Sequence, residues 1–167
     1  THSGLFEIAN NPFTVSQKTR GIIYIIRDPR DVCISWAKHS NYSIDDSINF
    51  ITNNQSVLKW QNSGKLSPTN QIKPLILISS WEQHVLSWTI TKWNTPRLIL
   101  KYEDLIYNKE KLIIDISNFF KTKYNINIKN FDLKLKNILK TTSFNSLRSL
   151  EKKEGFSEAM PWTSFFN

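Results

Sequence analysis

The chain has 167 residues and a mass of 19.6 kDa, the size of one ordinary domain. Hydrophobic residues make up 40% and charged residues 22%, which excludes a disordered segment, and 22 Lys+Arg against 14 Asp+Glu leave a net charge of +8 that favours anionic partners: nucleic acid, phosphorylated small molecules or acidic surfaces. One cysteine excludes a disulfide framework and a cysteine-based zinc site, and the four scattered glycines, Gly4, Gly21, Gly64 and Gly155, cannot write a nucleotide-binding glycine loop.

Thr1 is followed by no charged-then-apolar signal segment, which points to a cytoplasmic protein. No apolar run approaches the ~20 residues of a membrane span. Residues 162–167 are aromatic-rich, without a helix stop or polar tail, so both ends are expected to be cut from a longer domain.

The first strong element is Ile22-Ile23-Tyr24-Ile25-Ile26, an apolar run that predicts a strand buried on both faces, as in a parallel sheet. Asp28 then suits a helix N-cap, Pro29 the first helical position and Asp31 the third, so a helix should follow with Val32, Ser35 and Trp36. Residues 41–70 are polar and rich in Asn and Ser. They predict a short helix over 43–51, then a loose connection through Gly64 to Asn70, of the length seen in lids and substrate loops. Trp81, Val85 and Trp88 recur at helical spacing over 79–90. Pro96 ends that region, and Arg97-Leu98-Ile99-Leu100 predicts a second buried strand. An amphipathic helix over 108–121 places Leu112, Ile113, Ile116 and Phe120 on one face. Two more helices are expected, from 129 or 130 to 140 and over 143–154, the last ended by Gly155. Strands alternating with helices make this an α/β fold: a parallel sheet flanked by helices.

Arg27 stands where the first strand stops and its helix begins. Ligands of open α/β sheets bind at the carboxyl ends of strands, and a helix N-terminus adds N–H groups and partial positive charge. Arg27 and Ser35, eight residues on, can grip one phosphate with a fork of donors and a hydroxyl. The alternative is that Arg27 pairs with Asp28 or Asp31 and Ser35 is an ordinary helix serine. Cys33 reads as a small buried apolar residue. His2, His39, His84 and Cys33 lack metal-ligand spacing.

Arg27-Asp28-Pro29-Arg30-Asp31-Val32, after Tyr24-Ile25-Ile26 and before Ser35-Trp36, resembles the 3′-phosphate-binding motif of the sulfotransferases, enzymes that use 3′-phosphoadenosine 5′-phosphosulfate (PAPS). Four further segments resemble that family in the family's own order. Thr1-His2 is similar to the end of its Lys-Thr-His motif, and Ser80-Trp81-Glu82-Gln83-His84-Val85 with Trp88 to its Ser-Trp-x-x-His-Val helix. Leu100-Lys101-Tyr102-Glu103-Asp104-Leu105 is similar to its Tyr-Glu-Asp-Leu segment, and Thr142-Ser143-Phe144 with Leu147, Glu151, Gly155 and Phe156 to the helix that follows. Phe165-Phe166 also resembles the residues just before the family's Arg-Lys-Gly cofactor loop. The spacing is most similar to the bacterial small-molecule branch of the soluble sulfotransferases.

The resemblance implies a P-loop-NTPase-like parallel sheet flanked by helices, truncated at both ends, with PAPS as co-substrate and no metal. It implies that His2 is the catalytic base, suited by a pKa near the working pH. Arg27 and Ser35 would hold the 3′-phosphate, Tyr102 would contact the adenine, and Thr142 and Phe144 would complete its pocket. Trp81, His84 and Trp88 share one helical stripe and are expected to pack around the site, with His84 available for a supporting hydrogen bond. The acceptor would be a small molecule bearing a hydroxyl or amine, selected by loops such as 41–70, and no nucleic acid is expected. The family's Lys-Ser/Thr-Gly-Thr-Thr phosphosulfate loop and its Arg-Lys-Gly loop have no counterpart in residues 1–167. These residues alone are therefore expected to be weakly active or inactive. The competing readings are an inactive partial domain, a basic nucleotide- or nucleic-acid-binding module, and a nucleotide kinase of related fold, which would need a glycine-lysine loop and Mg²⁺-binding carboxylates.

Overall fold

A computed structural model of the chain describes residues 4–8, 11–59, 75–156, 162–164 and 166. In chain order these form β1 (Glu7–Ile8), β2 (Asn11–Pro12), β3 (Ile22–Ile26), α1 (Pro29–Ser40), α2 (Ile44–Thr52), β4 (Val57–Lys59), β5 (Leu75–Leu77), α3 (Trp81–Thr89), β6 (Arg97–Lys101), α4 (Tyr102–Tyr107), α5 (Lys109–Tyr124), α6 (Phe131–Thr141) and α7 (Phe144–Glu154). β1 and β2 make a short antiparallel ribbon, and β4 and β5 make another. β3 and β6 pair in parallel, from Ile22 opposite Arg97 to Ile26 opposite Lys101. Parallel neighbours need a long crossover, and here it carries α1, α2 and α3.

The helices start and stop for local reasons. Asp28 caps α1, Ser43 caps α2, Ser80 caps α3 and Ser143 caps α7, each side chain accepting from a backbone N–H two or three residues on. Asn41 and Asn125 end α1 and α5 in the left-handed region, at φ 54° and 55°, which asparagine tolerates. The core gathers Ile22 and Leu100 of the sheet, Cys33 and Ala37 of α1, Trp88 of α3, Leu112 and Phe119 of α5 and Leu135 of α6. Cys33 is buried as expected.

Three sequence expectations are corrected. The first strand is not buried on both faces: Ile23 and Ile25 are 41% and 47% exposed, and Ile99 of the second strand is 45% exposed. Exposure alternates along β3, with Ile22 buried and Ile23 and Ile25 exposed, so among the described residues one face of the two-stranded parallel sheet is left open. The connection after α2 is not all loose, because Val57–Lys59 pairs with Leu75–Leu77; residues 60–74 lie outside the described residues. Finally, β6 runs directly into a helix, α4, where no helix was expected.

Leu112 is 3% exposed. Leu112→Ala is expected to lower the unfolding free energy by about 2–5 kcal/mol, read by urea denaturation, and a loss below about 1 kcal/mol would contradict its place in the core.

Candidate functional site

Ile26 and Lys101 are the last paired residues of the parallel sheet, so Arg27 and Tyr102 leave it side by side. The Arg27 guanidinium lies over the Tyr102 ring, 4.5 Å from its centroid, a cation–π contact. Its Nε is buried and has no hydrogen-bond partner among the described residues. An unsatisfied buried donor costs about 1–3 kcal/mol, a cost that an arriving anion would relieve. The turn that holds Arg27 is fixed from two sides. Trp81 Nε1 donates to the Arg27 carbonyl at 3.2 Å, and the Asp28 N–H donates to Glu103 Oε1 at 3.3 Å.

The alternative pairings of Arg27 do not form. Asp28 is taken by Arg30, whose Nε and Nη2 donate to it at 3.0 and 2.6 Å, and these hydrogen bonds hold its carboxyl down at about 2. Asp31 forms no ion pair among the described residues. Arg27 is thus left without a carboxylate while its neighbour Arg30 is neutralised.

The other expected site residues are placed less closely. Ser35 lies on α1, exposed, and its hydroxyl makes no hydrogen bond among the described residues. Thr142 caps the C-terminus of α6, with Oγ1 donating to the Ile138 carbonyl at 2.7 Å. Phe144 opens α7, is 52% exposed, and meets Phe166 edge-on at 6.3 Å. No hydrogen bond or ring contact joins Thr142 or Phe144 to Arg27 or Tyr102. His2 lies outside the described residues.

The expected packing of the α3 stripe around the site is seen for Trp81, whereas His84 and Trp88 meet Tyr24 and Phe13. Trp81 reaches the Arg27 turn, and Trp88 is buried against Phe13 at 6.2 Å. His84 Nδ1 stands 2.7 Å from the Tyr24 hydroxyl. Burial pushes the Tyr24 phenol up to about 12, so it keeps its proton at neutral pH. A cavity of about 460 Å³ borders this pair. Sequence reasoning missed the Tyr24–His84 bond, the Glu103 brace and the exact seat of Arg27; the alternation of β3 and the stripe of α3 were the available signals for the first. Among the described residues no group of three or more His, Cys, Asp or Glu is placed to hold a metal, and no helix is long and apolar enough to cross a membrane.

Residues 8–162 match the model of the sulfotransferase domain family. The chain belongs to the sulfotransferase family. It is 28% identical over 128 residues to luciferin sulfotransferase of Photinus pyralis, an alignment covering 77% of this chain and 29% of that protein. Its fold is similar to the crystal structure of mouse sulfotransferase SULT7A1 complexed with PAP, with a TM-score of 0.56 and 22% identity over 86% of this chain and 45% of that one. The chain therefore spans less than half the length of either relative. These two comparisons do not distinguish branches within the family.

The raised Tyr24 pKa gives a sign for alkaline stability. Its folded pKa of about 12 lies above the ordinary value of 10, so its contribution is complete below pH 10 and is lost as pH rises through 12. Tyr24→Phe is expected to flatten the fall in stability between these limits, followed by denaturation at stepped pH; an unchanged slope would show that Tyr24 does not titrate there.

Proposed function

We propose that the protein transfers a sulfuryl group from PAPS to a hydroxyl or amine of a small-molecule acceptor. The observation that carries this reading is the Arg27 guanidinium at the carboxyl end of β3, with no carboxylate paired to it and no partner for its buried Nε among the described residues. The chain belongs to the sulfotransferase family, and residues 27–32 resemble that family's 3′-phosphate-binding motif. Binding of PAP by the mouse relative supports the same class of nucleotide.

In this reading Arg27 binds the 3′-phosphate, with Ser35 adding a hydroxyl from α1. Tyr102 borders the adenine, and Thr142 and Phe144 close the far side of its pocket. The acceptor heteroatom attacks sulfur in line. The bond from sulfur to the bridging oxygen of the 5′-phosphate breaks as the new bond to sulfur forms. His2 takes the acceptor's proton, and 3′,5′-bisphosphoadenosine leaves with its charge on the 5′-phosphate. The positive charge of the chain draws in this polyanion. The phosphosulfate end requires donors beyond those recognisable in residues 1–167, so these residues alone are proposed to hold the adenosine 3′-phosphate end while turning over weakly or not at all. A cytoplasmic location and independence from nucleic acid belong to the same proposal.

Calorimetric titration tests it. 3′,5′-Bisphosphoadenosine is expected to bind more tightly than adenosine 5′-monophosphate. Arg27→Ala is expected to weaken the bisphosphate about 10- to 150-fold, the scale of a hydrogen bond to a charged group, while leaving the monophosphate nearly unchanged. Equal losses for both ligands, or displacement by an oligonucleotide but not by the bisphosphate, would contradict it.

A further inference from the structure

Lys109 opens α5, at the positive end of that helix, where a cation is disfavoured. Nζ donates to the Thr142 carbonyl at 2.6 Å, across 33 residues of sequence. Thr142 is the C-cap of α6, where carbonyls lack intrahelical partners and a cation is favoured. The next residue, Ser143, caps α7. One ammonium therefore ties the start of α5 to the turn between α6 and α7.

Each end of this tie carries residues of the proposed adenine pocket. Tyr102 begins α4, and Asn108 alone separates α4 from α5. That elbow is stiff: Asn108 donates to Asp104 through its backbone N–H at 2.9 Å and through Nδ2 to Oδ1 at 3.1 Å. Tyr102 and Lys109 thus stand on one jointed unit, while Thr142 and Phe144 stand on the other. Among the described residues no other hydrogen bond, ion pair or ring contact joins residues 102–109 to residues 142–144.

We infer that Lys109 is a positioning residue that sets the width of the adenine pocket, by holding the Tyr102 elbow and the turn at residues 142–144 at fixed separation through the Thr142 carbonyl. The inference rests on the proposed adenine site. Lys109 touches no part of the nucleotide in this account, and its effect should appear as selectivity for the base.

The test titrates the intact protein, Lys109→Met and Lys109→Arg with 3′,5′-bisphosphoadenosine and with 3′,5′-bisphosphouridine, which keeps both phosphates and changes the base. Wild type should prefer the adenine compound. Lys109→Met should weaken the adenine compound roughly tenfold, the scale of one lost charge-assisted hydrogen bond, and the uridine compound less than about twofold. Lys109→Arg, which keeps a donor of similar reach, should recover most of the preference. If Lys109→Met does not fold, Lys109→Gln carries the same expectation with a smaller loss. Equal losses for both ligands, or an unchanged preference in a folded variant, would overturn the inference and leave the adenine site standing. No preference for adenine in wild type would remove the adenine site and the inference together.

Discussion

The parallel register of β3 on β6 is the constraint on which the candidate site depends. Because Ile26 pairs with Lys101, the chain leaves the sheet at two adjacent points, and each exit turns at once into a helix. Arg27 and Tyr102 are brought into contact by that register, with no long-range interaction of their own strong enough to do it. A slip of one residue would turn each side chain of the shifted strand to the opposite face and separate the pair.

The surroundings convert this adjacency into an anion site. Trp81 and Glu103 hold the turn through its backbone, so the Arg27 side chain is free of structural duties. Arg30 neutralises Asp28, the carboxylate nearest in sequence, which would otherwise compete with a phosphate. Arg27 instead covers a tyrosine ring, a contact worth about 0.5–2 kcal/mol according to how far it is desolvated, against about 1.5–3 kcal/mol for each charge-assisted hydrogen bond to a phosphate. The resting contact is thus weak enough to yield to the ligand. Earlier in β3, Tyr24 and His84 tie α3 to the sheet with a part-buried hydrogen bond, and α3 in turn presents Trp81.

What the sequence made legible follows from signal strength. β3 and α1 were readable because an apolar run of five meets Asp28-Pro29, a capping residue and a helix-starting proline. The helices over 81–89 and 109–124 were readable from apolar residues at helical spacing, and the one over 144–154 from the glycine that ends it. β4 was not, because three residues in a polar stretch carry no periodicity, and β5 was missed although Leu75-Ile76-Leu77 is a short apolar run. α4 was hidden because Tyr102 follows an apolar strand without a side-chain cap, which leaves Glu103 and Asp104 in its first turn as a weak signal. Arg27 and Tyr102 could be named from family-like motifs, yet their stacking depends on strand register, which no single segment encodes. Lys109 had no signal at all: its partner is a backbone carbonyl 33 residues away.

A crystal structure of the intact protein with 3′,5′-bisphosphoadenosine measures the central claim most directly. The account expects an oxygen of the 3′-phosphate within about 3 Å of an Arg27 guanidinium nitrogen, with the adenine against Tyr102. A nucleotide bound elsewhere, or a 3′-phosphate held by other residues while Arg27 still covers the Tyr102 ring, would contradict it.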